Sequence, residues 1–314
     1  MKVKKILSVL LALCMLGSFA VCFAVAGDAN VVIGKAYISF VDNGVRTEAG
    51  VNFPDALGTI FNRSEVELHA GDTIADVTRR FVEDVKGGKA NIIPTSWGTL
   101  YLESVKNVIT DSGVTLSSFG EKDAGAVSGW MYRLNNQFSN TAIDKAPVDI
   151  GDEIAWMYSC QIGADIGGDF NETSAAITGL TFSAGSLAPA FSTGVKDYTL
   201  NLPANVTAIK VEAELKDYFT ETTYTLVHGG KSVDYKYYRD IPVSDGDKIV
   251  ISTKKTTEQY DASYNYLGTV TDSDSVTITI AQAQSTPTNF IRAIIQAIIA
   301  FIKGLFANLG NIGK

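Results

Sequence analysis

The chain has 314 residues, a formal net charge of −8 at pH 7 and three cysteines. An acidic surface repels nucleic acid and anionic lipid headgroups, so we expect neither to bind the folded part. So few cysteines exclude a disulfide-dense scaffold. Stability must come from packed cores, and the length is sufficient for two of them.

Residues 1–26 predict a secretory signal peptide. Three lysines within the first five residues form a basic start, and a nearly unbroken apolar run follows at 6–20. Ala24-Val25-Ala26 then supplies the small-x-small pattern at which signal peptides are cleaved. We therefore expect an exported protein, located outside the cell or in the cell envelope.

Two alternatives to this cleavage stay open. The first is that the segment is retained as a membrane anchor, although it is short for one. The second is lipidation of Cys22, which is disfavoured because the bulky Val21 stands where a small residue normally precedes a lipidated cysteine. Cleavage makes the net charge three units more negative and leaves Cys160 as the one cysteine, which cannot form an internal disulfide.

The stretch 31–165 predicts a small α+β module. Residues 31–41, 129–135 and 153–160 are rich in Val, Ile, Tyr, Trp and Phe, which favour β-strands. Apolar residues at helical spacing over 74–85 indicate one helix between these strands. A sheet packed on a single helix is the arrangement that this order favours.

The ends of that helix carry the expected signals. Asp72 or Thr73 can cap its first turn, and Gly87-Gly88 follows its last apolar residue.

A composition change at 166–176 predicts a linker, because the segment is polar and rich in glycine. Residues 177–283 then show short alternating runs separated by turn residues such as Ser244-Asp245-Gly246-Asp247. About a hundred residues of this pattern are typical of an antiparallel β-sandwich.

After a hinge at 284–289, residues 290–309 predict an apolar amphipathic helix. Arg292, Gln296 and Lys303 form one narrow polar stripe, and bulky apolar residues from Phe290 to Leu309 cover the rest. Our first interpretation is a helix that lies in the membrane surface. A membrane-spanning anchor and a helix that docks on a partner protein stay open.

The first module resembles the transcobalamin-like C-terminal domain, a family (DUF4430) of secreted bacterial proteins. The matching pieces are LHAGDTIADVTRRFVEDV at 68–85, GWMYRLNN at 129–136 and VDIGDEIAWMYS at 148–159. The resemblance implies a β-grasp-like fold, in which a sheet wraps over one helix.

The second module resembles the cadherin-like β-sandwich domain of bacterial surface proteins. The matching piece is ITGLTFSAGSLAPAFSTGVKDYTLNLP at 177–203, whereas the tyrosine-rich insert at 233–240 has no counterpart. This resemblance implies a structural or adhesive module without activity of its own.

The most distinctive candidate site is a set of aromatic residues in the first module. Trp97 and Tyr101 lie in or near the matching pieces together with this set. In a strand, alternate residues share a face, so each Trp-Met-Tyr triplet places its two aromatic rings on one side. Paired strands then form an aromatic face that predicts a ligand site; its residues are Trp130, Tyr132, Trp156, Tyr158 and Asn135.

Two interpretations of this face stay open: it packs on the helix, or it binds a flat or apolar ligand. The resemblance to transcobalamin implies a corrinoid such as cobalamin as the candidate ligand. The helical barrel that supplies the other half of that site in the relatives is missing from this sequence.

Motifs for catalysis or metal binding are weak. His69 and His228 lie in different modules, and Asp149, Asp152 and Glu153 surround a turn, so we predict no catalytic residues, no metal and no cofactor. Two groups of acidic residues could supply oxygen ligands for calcium, but neither has the spacing of a calcium-binding loop. They are Asp165, Asp169 and Glu172 at the linker, and Asp272 with Asp274.

The sequence therefore predicts a mainly β protein with a β-grasp-like α+β module, an antiparallel β-sandwich and an amphipathic C-terminal helix. We expect an exported, non-catalytic binding or adhesion protein of the cell surface. Its partner is an unknown protein, glycan or small molecule, and its tail associates with a membrane surface. Capture of a small molecule by the first module is the alternative.

Overall fold

A computed structural model describes residues 31–42, 58–261, 263, 265–283, 296, 298 and 299. The predicted signal peptide and hinge lie outside these residues, as does the predicted helix 290–309 except for Gln296, Ile298 and Ile299. Within the described part of the chain, no helix is long and apolar enough to cross a membrane.

The first module contains eight strands among its described residues. They are Val32–Val41 (β1), Thr59–His69 (β2), Lys89–Pro94 (β3), Leu100–Ile109 (β4), Thr115–Gly120 (β5), Gly129–Leu134 (β6), Gln137–Phe138 (β7) and Glu153–Ser159 (β8). The strands expected near residues 31, 129 and 153 are thus confirmed.

One helix, Ile74–Arg80 (α1), runs between β2 and β3 and continues as a π-helical turn, Phe81–Val85. Thr73 caps it: the Thr73 side chain accepts a hydrogen bond from the Asp76 N–H, and the Asp76 carboxylate accepts one from the Thr73 N–H. This reciprocal capping box fixes where the helix begins.

The module has two sheets rather than the single one expected. A five-stranded sheet has the order β2-β1-β8-β6-β7, and a separate three-stranded sheet has the order β3-β4-β5. β1 and β8 are parallel, and the other pairs are antiparallel. Buried side chains from both sheets and from α1 form one core, which includes Phe40, Phe61 and Phe81.

The second module contains ten strands among its described residues. They are Ile177–Phe182 (β9), Ser186–Ala188 (β10), Asp197–Leu202 (β11), Ala208–Ile209 (β12), Val211–Leu215 (β13), Glu221–His228 (β14), Lys231–Tyr235 (β15), Ile241–Pro242 (β16), Lys248–Tyr260 (β17) and Tyr266–Gln282 (β18).

A six-stranded sheet of order β10-β11-β18-β17-β14-β15 and two short ribbons, β12-β16 and β9-β13, enclose one core. The expectation of purely antiparallel pairing is wrong in one place, because β11 and β18 pair in parallel. β17 and β18 form a long hairpin whose inward positions follow strict alternation from Ile249 to Thr257.

The predicted linker 166–176 is hydrogen-bonded to the second module along its length. The Tyr218 N–H donates to the Gly167 carbonyl (2.9 Å), and the Thr257 hydroxyl donates to the Glu172 carbonyl (3.1 Å). These bonds hold the segment against the module that follows it.

Candidate binding site

The aromatic residues of β6 and β8 share one face, as the alternation predicted. Trp130 pairs with Tyr158 and Tyr132 with Trp156 in the antiparallel register of the two strands. This face points into the core: Trp156 is 1% exposed, Tyr158 2% and Tyr132 7%.

Hydrogen bonds hold these rings in place. The Trp156 indole N–H donates to the Thr78 hydroxyl on α1 (2.9 Å), and the Tyr158 hydroxyl donates to the Gly120 carbonyl (2.7 Å). Burial raises the pKa of Tyr158 to about 12. The aromatic face therefore packs on the helix and on the end of β5.

Trp130 is half-buried at the edge of the same cluster. Its ring meets Phe40, Phe119 and Tyr158 edge-on at centroid distances of 5.5, 5.3 and 5.2 Å, respectively. Its indole N–H donates to the Phe119 carbonyl (3.1 Å). These contacts are those of a core residue.

Asn135 has a structural role in the turn after β6. Its φ of 52° lies in the left-handed region, which asparagine tolerates in tight turns. The Asn135 side chain donates to the Asp152 carboxylate (2.9 Å) and accepts from the Glu153 N–H (3.1 Å). It thereby aligns the start of β8. The five predicted ligand residues thus offer no open aromatic face in this structure.

Trp97 is placed in the opposite way. It lies in the turn between β3 and β4, and it is 87% exposed, more than any other exposed large apolar residue among the described ones. An uncovered indole of this size is the kind of residue that anchors protein–protein contacts.

The turn that carries Trp97 is closed by hydrogen bonds. The Thr95 hydroxyl accepts from the backbone N–H groups of Trp97 and Thr99, both at 3.2 Å. The Thr95 N–H donates to the Thr99 carbonyl (2.7 Å), and Gly98 takes a φ of 79°. The indole is therefore presented on a backbone that is already ordered.

The base of this hairpin is anchored to the rest of the module. The Leu100 N–H donates to the Asp144 carboxylate (2.9 Å). The Tyr101 hydroxyl donates to the Glu121 carboxylate (2.7 Å), and this hydrogen bond, with burial and the negative charge, raises the pKa of Tyr101 to about 12. A signal for Trp97 was present in the sequence: Thr-Ser-Trp-Gly-Thr places a tryptophan among turn residues.

A second region joins the modules. We call it the seam; it is the surface where residues 218–219 and 235–239 of the second module meet the first. Lys236 Nζ lies 2.7 Å from the Asp152 carboxylate and 3.2 Å from that of Asp149. Burial opposes the positive charge of Lys236, but the hydrogen bonds and charges of both aspartates outweigh it and raise the lysine pKa.

Arg133 is the most buried cation of the seam, at 7% exposure. Its guanidinium stacks on the Tyr218 ring at 3.6 Å and on the Phe138 ring at 4.5 Å. It also donates to the Ile166 carbonyl. Burial lowers the pKa of Arg133 to about 10. Its charge is met by ring faces and a carbonyl oxygen.

A cavity of about 170 Å³ lies in the seam. The Arg63 guanidinium at its wall binds Glu153 through two hydrogen bonds of 2.8 and 2.5 Å. The volume is below the roughly 300–1,000 Å³ of ligand pockets. The lining residues are Ser39, Arg63, Asn136, Glu153, Ile154, Ala155, Tyr237 and Tyr238.

The two histidines lie in separate settings. His69 Nδ1 lies 3.0 Å from the Arg80 guanidinium, which also binds Asp72. His228 Nδ1 lies 2.6 Å from the Asp247 carboxylate, beside an apolar cavity of about 500 Å³.

Acidic residues that were considered as calcium ligands accept hydrogen bonds from the protein itself. Asp165 accepts from the Ser159 hydroxyl (2.5 Å) and the Cys160 N–H (2.7 Å), and Asp272 accepts from the Ala175 N–H (2.8 Å). Over the described ranges, no three or more His, Cys, Asp or Glu side chains are grouped so as to hold a metal ion.

Comparison with known families gives one match. Residues 71–159 match the family model described as Domain of unknown function (DUF4430). The matched range runs from α1 to β8 and contains all three tryptophans of the chain. The resemblance of the first module to DUF4430 is confirmed over this range, whereas its likeness to transcobalamin and the cadherin-like resemblance of the second module stay predictions. No curated protein matches the chain.

Proposed function

We propose that the protein is an exported, non-catalytic binding or adhesion protein of the cell surface, and that its first module binds through Trp97. The observation that carries the proposal is the 87% exposure of an indole on an ordered, hydrogen-bonded turn. A preordered turn loses little conformational entropy on binding, and an exposed tryptophan gains much from being covered.

The second module acts as a spacer in this proposal. The contacts of Lys236 and Arg133 across the seam favour two modules that move as one body. A stiff pair of modules holds Trp97 at a fixed position relative to the chain that follows. The proposed role of residues 290–309 is to tether this chain to the membrane surface.

Adhesion of cells that display the full chain tests the binding proposal. Cells with the wild-type chain should adhere to one another, or to surfaces coated with peptidoglycan or cellulose, more than cells without it. Trp97→Ala should remove most of the gain. Ile109→Ala is the matched control, because Ile109 is 61% exposed in the same three-stranded sheet. Equal adhesion with and without the protein would reject the proposal.

The tether is tested by fractionation. A chain that lacks 287–314 should appear in the medium, whereas the full chain should sediment with membranes. A full chain found wholly in the medium contradicts tethering.

Cobalamin capture remains the alternative that the family resemblance implies. It requires an open aromatic face, and Trp156 and Tyr158 are 1% and 2% exposed. We therefore expect no binding when the folded chain is titrated with cobalamin. Micromolar or tighter binding that Trp130→Ala abolishes would favour capture over adhesion.

A further inference from the structure

One lysine–aspartate pair lies deep in the second module. Lys255 on β17 is 3% exposed, and Asp217 before β14 is 0% exposed. The Lys255 amine contacts the Asp217 carboxylate directly. Lysine and aspartate are rarely buried so completely, because both ions lose their hydration.

Main-chain groups hold the pair in a fixed geometry. The Asp169 N–H donates to Asp217 Oδ1 (2.7 Å), and the Phe219 N–H donates to Asp217 Oδ2 (3.1 Å). Lys255 Nζ also donates to the Asp169 carbonyl (3.1 Å) and lies 5.9 Å from the centre of the Phe219 ring. The amine is therefore aimed at a carboxyl group whose two oxygens both accept N–H donors.

We propose that Lys255 and Asp217 condense to an intramolecular isopeptide bond between Nζ and Cγ. A proton passes from the ammonium to the carboxylate, and the amine lone pair then attacks Cγ. The Cγ–OH bond breaks, and its hydroxyl leaves with one N–H proton as water. The reaction converts an ammonium and a carboxylate into an amide and one water molecule, with no oxidant or reductant.

The surroundings favour each part of this reaction. Burial removes the hydration that stabilises the two ions in water. The fixed contact replaces a bimolecular encounter. The Asp169 N–H donates to Asp217 Oδ1 and stabilises the oxyanion that forms on this oxygen when the amine attacks Cγ.

The bond would link the loop before β14 to β17, two points 38 residues apart in sequence. A covalent link of this kind removes freedom from the unfolded chain in the way a disulfide does. It suits an exported protein that has one cysteine after its predicted signal peptide. The inference is independent of the role proposed for Trp97.

The mass of the purified, denatured full chain tests the proposal. The wild type should be lighter by one water molecule than the mass calculated for its sequence after any cleavage of the signal peptide, and digestion with trypsin should leave Lys255 uncleaved and joined to the peptide that contains Asp217. A wild type of full mass with normal cleavage at Lys255 overturns the proposal. The mass and the digest of the wild type decide the proposal without the use of any variant.

Variants test which two residues lose the water molecule. Lys255→Arg keeps the positive charge without an amine nucleophile and should restore the full mass, as should Asp217→Ala. Lys254→Arg, on the exposed face of the same strand, should keep the loss. A loss that persists in Lys255→Arg would place the dehydration elsewhere and reject the bond.

Discussion

Trp156 and Trp97 lie in the same family-matched stretch, yet one is 1% exposed and the other 87%. Trp156 is an inward position of β8, between β1 and β6 at the centre of the five-stranded sheet. Trp97 lies in a turn, where no sheet covers either of its faces. The residue type is the same, and the place in the backbone decides whether it stabilises the core or remains available to a partner.

This contrast separates two kinds of aromatic signal. Trp-Met-Tyr triplets follow the period of a strand and belong to the core, whereas a tryptophan among Thr, Ser and Gly breaks that period. A large apolar side chain left in water contributes little to folding, and for this reason the proposal above assigns Trp97 to binding rather than to the core.

The largest expected effect comes from Trp156→Ala. Removing a fully buried indole should lower the free energy of unfolding by about 3–5 kcal/mol, because a cavity forms and Thr78 loses its partner. Urea unfolding followed by the fluorescence of Trp130 measures this change. Trp156→Phe is the control and should lose less. A loss below about 1 kcal/mol would contradict the assignment of Trp156 to the core.

Arg133→Ala should cost about 2–3 kcal/mol, since the seam loses a desolvated cation–π contact and the Ile166 carbonyl loses a donor. Calorimetry should also show the two modules unfolding in separate transitions. Arg79→Ala, which changes a half-exposed arginine of α1 outside the seam, should stay within about 0.5 kcal/mol of the wild type. An unchanged single transition in Arg133→Ala would show that Arg133 is not what couples the modules.

Local patterns predicted much of the fold, and long-range contacts explain what they missed. Alternation placed Trp130 and Tyr132 on one face, and of the two residues expected to cap the first turn of α1, Asp72 or Thr73, the structure has Thr73. Alternation cannot tell which face of a sheet is covered, and for this reason the aromatic face had two interpretations.

The missed features depend on contacts between distant segments. The seam contacts of Lys236 with Asp149 and Asp152 join positions more than 80 residues apart. One signal for the buried pair was local: strict alternation along β17 puts Lys255 on the same face as Ile249 and Ile251. A lysine at an inward position of an alternating strand therefore indicates a buried charge.

The contribution of α1 to the core should depend on pH through Asp72. Burial opposes ionisation of Asp72, but hydrogen bonds from Arg80 and from the His69 N–H outweigh it, so its pKa lies below the usual range. A depressed pKa stabilises the folded state above the unfolded pKa of about 4, and this stability is lost as the pH falls through the folded value.

Asp72→Asn should accordingly lower the free energy of unfolding by about 1–2 kcal/mol at pH 7. The difference from the wild type should shrink as the pH falls below about 4. Urea unfolding of both chains across this range measures the effect. A difference that stays constant with pH would mean that the ionised carboxylate is not what stabilises this end of the helix.

Trp97→Ala should have the smallest effect on stability, within about 0.5 kcal/mol of the wild type, because the indole is exposed and the turn is held by Thr95 and Thr99. Urea unfolding followed by the remaining two tryptophans measures it. Thr95→Val is the informative control. It removes the hydroxyl that accepts hydrogen bonds from two backbone N–H groups, so it should disorder the turn, but it keeps the tryptophan at position 97. If Trp97 acts as a preordered anchor, both variants reduce adhesion, but only Thr95→Val loosens the hairpin. A large loss of stability in Trp97→Ala would instead make Trp97 a structural residue like Trp156, and the contrast between them would disappear.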